Sequence, residues 1–204
     1  MGALGRLLRF LGLAAGAALL LAGCDSGTRP PAFKSVDVTG AEMRPAFRLV
    51  DHTGTPRTLE DFRGRAVVVF FGFTHCPDVC PTALAQIALA LKQLPEDQAR
   101  RVQGLFITVD PERDTPEVLA RYVPAFHPGF LGLTGDPAAI AEAARSFKVF
   151  YQKVPGQAPD SYTMDHTAGI FVFDPQGRLR LYVSHGQGPE VLAHDLRLLL
   201  SQTG

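Results

Sequence analysis

The run Ala66 to Phe73 reads AVVVFFGF. It is apolar on both faces, which suits a central strand covered by helices on either side rather than a half-solvated strand. The chain leaves this run through Thr74-His75-Cys76-Pro77-Asp78-Val79-Cys80-Pro81 and enters Ala83 to Leu94, where alanines and leucines recur at helical spacing until Pro95 ends them. A second buried strand is predicted at Val102 to Val109. Helices follow at Pro116 to Tyr122 and Asp136 to Phe147, each with a proline near its start, where the missing N–H costs nothing. Ile170 to Phe173 and Leu179 to Val183 form a hairpin about the turn Asp174 to Gly177, and Glu190 to Leu200 is a closing helix. Before all of these, Phe47 to Val50 is a short strand turned by Asp51-His52-Thr53-Gly54. This order predicts an α/β, thioredoxin-like sandwich: a central, mostly parallel sheet with a C-terminal hairpin and helices on both faces.

The beginning of the chain reads differently. Arg6 and Arg9 precede an apolar stretch from Leu11 to Ala22, and Leu21-Ala22-Gly23-Cys24 resembles the lipobox of bacterial lipoproteins. Residues 1–23 are expected to be a signal peptide. Cys24 is then lipidated and becomes the mature N-terminus, held by acyl chains that each contribute roughly 0.8 kcal/mol per buried methylene. Residues 24–44, rich in Gly, Pro, Ser and Thr, are expected to tether a domain of residues 45–204 to the membrane. Asp25 resembles the residue that keeps such lipoproteins in the inner membrane. The 20 basic residues balance the 20 acidic ones, and no basic run points to nucleic acid. Removing the signal takes away two arginines and leaves the exported domain mildly acidic.

Of the three cysteines, Cys76 and Cys80 therefore remain as the thiols of the exported domain. They stand at i and i+4 where a strand passes into a helix, so both sulfurs can face one small ion. A helix N-terminus is also expected to lower thiol pKa values. Three readings follow: a structural disulfide, a dithiol–disulfide pair, or two thiolates awaiting a further ligand. The spacing is one residue longer than the usual redox motif. Two thiolates favour copper or zinc, and a closed zinc site wants four protein ligands. Among the six histidines, His52, His127, His185 and His194 read as turn or surface residues, and His75 is awkwardly close to Cys76. His166 differs. It sits in Tyr162-Thr163-Met164-Asp165-His166-Thr167, in a loop placed opposite the cysteine turn in a thioredoxin-like sheet, and Asp165 is expected to orient its imidazole. Asp78 is expected to cap the helix, with a role beside the metal as the alternative. No phosphate-binding loop or dinucleotide fingerprint is present.

Cys76-Pro77-Asp78-Val79-Cys80-Pro81 together with Asp165-His166-Thr167 resembles the SCO/SenC family. The flanks Phe71-Gly72-Phe73-Thr74-His75 and Val109-Asp110-Pro111-Glu112-Arg113-Asp114-Thr115-Pro116 carry the same likeness, which extends from about Phe47 to Leu200. The resemblance implies a thioredoxin-like, membrane-anchored domain binding one copper ion, Cu(I) or Cu(II), through Cys76, Cys80 and His166. It implies copper delivery to the copper A subunit of cytochrome c oxidase, reduction of that centre's cysteines, and a periplasmic copper donor upstream. Many members carry a transmembrane helix, whereas a lipid on Cys24 is the anchor expected here. The alternative is a membrane-tethered thiol-disulfide oxidoreductase or peroxidase acting through Cys76 and Cys80.

Overall fold

The computed structural model describes residues 32–158 and 161–202. The expected signal peptide and the lipidated Cys24 lie outside them. Among the described residues, no helix is long and apolar enough to cross a membrane.

An eight-stranded sheet organises the unit that begins at Phe33. Its strands are β1 (Val36–Asp37), β2 (Arg48–Asp51), β3 (Pro56–Thr58), β4 (Ala66–Gly72), β5 (Val102–Thr108), β6 (Leu131–Thr134), β9 (Ile170–Phe173) and β10 (Leu179–Val183). Between β6 and β9 the chain makes a separate two-stranded ribbon, β7 (Tyr151–Pro155) with β8 (Tyr162–His166). Spatial order in the large sheet is β1-β10-β9-β4-β5-β6-β2-β3. The helices are α1 (Val79–Lys92), the short α2 (Glu96–Ala99), α3 (Pro116–Tyr122), α4 (Pro137–Ser146) and α5 (Pro189–Ser201).

Every residue of β4 and β5 is buried, as continuous apolar runs require of strands covered on both faces. α1 and α5 pack on each other and on β4, while α3 lies against β6 and α4 against β2. Phe70, Phe71, Phe73, Phe106, Phe147 and Phe173 fill the space between the layers, and each ring so buried stabilises the fold by roughly 1.5–3 kcal/mol. Asp136 caps α4 by accepting the Ala139 N–H at 2.7 Å, and Thr115 accepts the Val118 N–H at the start of α3.

The sheet is mixed rather than mostly parallel. Parallel pairing is confined to β4–β5 and β5–β6, and antiparallel strands flank this trio on both sides. The tight turn at Asp174–Gly177 permits only antiparallel pairing of β9 with β10, and a one-residue shift in register lies between Leu179 and Leu181. Part of the segment read as a tether pairs with the domain: Val36 and Asp37 add to β10. The Lys34 and Ser35 N–H groups donate to the buried Asp195 carboxylate, each at 2.8 Å. Burial alone raises the Asp195 carboxyl, but these bonds and those from the Ser35 hydroxyl and His194 outweigh it and hold it below the usual carboxylate range.

Candidate metal centre

Three ligand atoms converge where β4 ends and α1 begins. The Cys76, Cys80 and His166 donors all lie within 4.8 Å of one another, and Cys80 Sγ is 3.4 Å from His166 Nε2. The helix begins at Val79, earlier than the alanine–leucine periodicity alone predicts, so Cys80 falls in its first turn. Cys76 lies in the turn before it, and its Sγ accepts the Cys80 backbone N–H at 3.3 Å. That sulfur thus takes up one of the free N–H groups of the helix start. Asp78 occupies the cap position without a side-chain bond to the helix backbone, because its backbone angles (φ −142°, ψ −66°) differ from the extended ones of a capping residue. Its carboxylate is exposed and accepts the Thr82 hydroxyl, at 3.4 Å.

Cys80 is fully buried and Cys76 half-buried, and both are free thiols. Gly72 makes room for the deeper sulfur: a Cβ there would stand 2.8 Å from Cys80 Sγ and 2.8 Å from the Phe106 ring. The helix start does not lower the Cys80 pKa. Burial pushes it well above the ordinary thiol range, a backbone hydrogen bond from Phe73 opposes this, and Cys76 and Asp114 add to it. Desolvation wins because the sulfur has no exposed surface, and this outweighs the dipole of the helix turn it sits in.

His166 ends β8, so the segment read as a loop is the inner strand of a ribbon. Its ring sits edge-on between Phe70 and Phe73, with centroids 5.9 Å away in each case. Nδ1 is 3.1 Å from the Thr167 carbonyl oxygen. A carbonyl can only accept, so Nδ1 carries the proton and the Nε2 lone pair faces Cys80. Burial holds the His166 pKa below its usual value, opposed by the Thr167 carbonyl and the Asp165 charge. The partner that fixes the ring is therefore Thr167, not Asp165. Neighbours along a strand point to opposite faces, and the Asp165 carboxylate is exposed, 3.5 Å from Gln152 Nε2. Met164 shares the inner face with His166 and is buried. A cavity of about 200 Å³ opens over the site, lined by Phe73, Cys76, Pro77, Met164, His166 and Ala168.

One buried group escaped the reading of the sequence. Asp114 is fully buried and accepts the Thr74 N–H at 3.0 Å, the Thr74 hydroxyl at 2.6 Å and the Thr108 hydroxyl at 2.6 Å. It pins the cysteine turn to the end of β5. Burial nevertheless raises its carboxyl above the usual range. The signal available was an acid directly before the capping Thr115, inside Asp110 to Pro116. Three other histidines have partners elsewhere: His52 Nδ1 accepts the Gly132 N–H, His127 Nδ1 the Gly129 N–H, and His194 pairs with Asp195. His75, exposed beside Cys76, lies 3.2 Å from the Thr74 hydroxyl and does not join the three-donor group.

The model of the SCO1/SenC family matches residues 37–201. The mitochondrial SCO2 homolog of Bos taurus is 44% identical over 152 residues, which are 74% of this chain and 57% of that protein. Its human counterpart is 42% identical over the same length, with the same coverage. The match thus spans less than two thirds of these relatives. Among solved structures, copper-bound ScoI of Bradyrhizobium japonicum is 42% identical with a TM-score of 0.70, over 77% of this chain and 99% of that one. Copper-bound yeast Sco1 is 31% identical with a TM-score of 0.71, over 78% of this chain and 88% of that one. With two thiols and an imidazole gathered at the end of the first buried strand, and with this match along most of its length, the chain belongs to the SCO1/SenC family.

Proposed function

We propose that this protein is a copper chaperone that takes one copper ion on Cys76, Cys80 and His166 and delivers it to the copper A centre of cytochrome c oxidase. The observation that carries the reading is the convergence of two sulfurs and an unprotonated ring nitrogen within 4.8 Å. Soft thiolates suit copper(I), and the added imidazole suits copper(II) as well. Relatives at 42% and 31% identity are solved with copper bound. Copper here is cargo. Cys76 lines the opening while Cys80 is buried, so an incoming client thiolate meets the metal on the Cys76 side and displaces protein ligands stepwise. The dithiol is equally placed to reduce a client disulfide, giving up two electrons and two protons as Cys76 and Cys80 join. In this reading a lipid on Cys24 holds the domain at the membrane, facing the periplasm or outer side, where the oxidase subunit and a periplasmic copper donor also meet it.

Transfer is tested by mixing the copper(I)-loaded protein with the metal-free, reduced copper A domain and separating the two. Copper is expected on the client, and a client that stays empty at equilibrium counts against delivery. Repeating the mixing with an oxidised client and metal-free protein reads the reductase role through thiol counting.

Burial of Cys80 gives a pH prediction. Its thiol is protonated at neutral pH, so copper must displace that proton. As pH falls the proton competes better and affinity drops. The apparent copper(I) affinity is expected to rise about tenfold per pH unit from this group alone. Competition titrations between about pH 6 and pH 8 measure the slope. A flat profile would show that no thiol proton is released.

A further inference from the structure

The ribbon that carries His166 stands outside the large sheet. At the Tyr162 end of β8 it is fastened to the loop that follows β5. Arg113 Nη1 donates to the Tyr162 carbonyl at 3.0 Å, and the Tyr162 hydroxyl donates to Asp110 Oδ1 at 2.9 Å. The Arg113 guanidinium lies 3.6 Å from the centre of the Tyr162 ring and the Lys153 ammonium 3.8 Å from it. Arg113 also pairs with the buried Asp110, and Lys153 with Glu112 at 2.8 Å. One aromatic ring is thus held by two cations, and each cation is neutralised by an acid of the same loop. The same guanidinium lies 5.9 Å from the Phe73 ring, whose neighbour at 5.9 Å is the His166 imidazole. Burial and the Asp110 bond push the Tyr162 hydroxyl up to about 12, so it remains a donor at any physiological pH.

We infer that Arg113 and Tyr162 are positioning residues: they lock the β7–β8 ribbon to the loop after β5 and thereby fix His166 at its distance from Cys80. This rests on the proposed copper site and names what sets its geometry. The cysteines come from the β4–α1 turn, whereas the imidazole arrives on a ribbon outside the large sheet, tied at its His166 end by the chain into β9 and at its Tyr162 end by this lock. Loosening the lock takes away the nitrogen ligand while leaving the two thiolates. Copper(II), which draws on imidazole nitrogen, then suffers more than copper(I), which the soft thiolates hold. The lock therefore biases the site toward retaining both oxidation states.

The test measures copper(I) and copper(II) affinities of Tyr162→Ala in the wild-type and in the His166→Ala background. In the wild-type background copper(II) affinity is expected to fall about tenfold with copper(I) unchanged, which raises the one-electron potential by about 59 mV. Nitrogen hyperfine structure in the copper(II) EPR spectrum is expected to weaken. In the His166→Ala background the same substitution is expected to change nothing, because its effect passes through the missing ring. Tyr162→Phe keeps the ring between the cations and is expected to stay within about threefold of wild type. Arg113→Gln carries the same prediction as Tyr162→Ala with less loss of packing, should that variant not fold. Equal losses in both backgrounds, or an unchanged copper(II) affinity, overturn the inference while leaving the copper site intact. A wild-type protein that binds no copper sinks the site and this inference together. Copper binding without delivery to the client sinks only the delivery role.

Discussion

Cys80→Ser is expected to lower copper(I) affinity on the order of 1,000-fold, about 4 kcal/mol, while leaving a folded protein. The substitution replaces a soft sulfur by a smaller, hard oxygen, and copper(I) discriminates strongly between them. Cys80 is fully buried, so the new hydroxyl must find a partner or leave a polar group unsatisfied, at about 1–3 kcal/mol of stability. His166 Nε2, 3.4 Å from Sγ, is an acceptor within reach, so the stability loss belongs at the low end. Cys76→Ser should lose copper as badly but destabilise less, because Cys76 is half-buried at the mouth. Competition with a copper(I) chelator and thermal denaturation separate the two effects. Retention of copper(I) within about threefold of wild type in Cys80→Ser would remove Cys80 from the ligand set.

The second large effect concerns a residue without a side chain. Gly72→Ala places a Cβ 2.8 Å from Cys80 Sγ, 2.8 Å from the Phe106 ring and 3.0 Å from the Phe70 ring. Neither ring can retreat, since both are fully buried, and overpacking of this kind costs about 1–3 kcal/mol. The strain falls directly on a proposed ligand, so stability and copper affinity are expected to fall together. Gly104→Ala is the matched control. It lies on the neighbouring strand β5, and its Cβ would stand 2.5 Å from the Phe130 ring. It should cost comparable stability and leave copper affinity near wild type. Melting curves and copper titrations of both variants decide. Equal copper affinities would mean that Cys80 is not crowded by Gly72.

How much could be read in advance follows the physics of each element. β4, β5 and α1 were legible because long apolar runs and helical spacing report burial directly. The ribbon was not. Tyr151–Pro155 and Tyr162–His166 carry exposed polar residues and no apolar run, so nothing in their composition distinguishes them from a loop. β1 and β3 are two and three residues long at the sheet edges, too short to show a period. The assignment of Asp165 to the imidazole failed for a related reason: adjacency in sequence suggests contact, but a strand turns neighbours apart. Asp114 reaches Thr74 across 40 residues, and no local pattern announces so distant a bond.

The sequence by itself determined the donors: two cysteines one helical turn apart, at the end of a strand that had to be buried. It also supplied the two cations and the tyrosine that hold the ribbon, without showing that they meet. Tertiary structure brought His166, the candidate of the sequence, to the sulfurs and decided with which nitrogen it faces them. Cys80 and His166 are 86 residues apart in the chain. They meet because β4 and β9 pair antiparallel with Phe70 opposite Ile170. As β4 runs out toward the cysteine turn, the chain entering β9 comes in from His166 on the same side. The Thr167 carbonyl then fixes the ring proton on Nδ1. Spacing along a chain can place two groups on one helix face, but only strand pairing sets the register between segments this far apart.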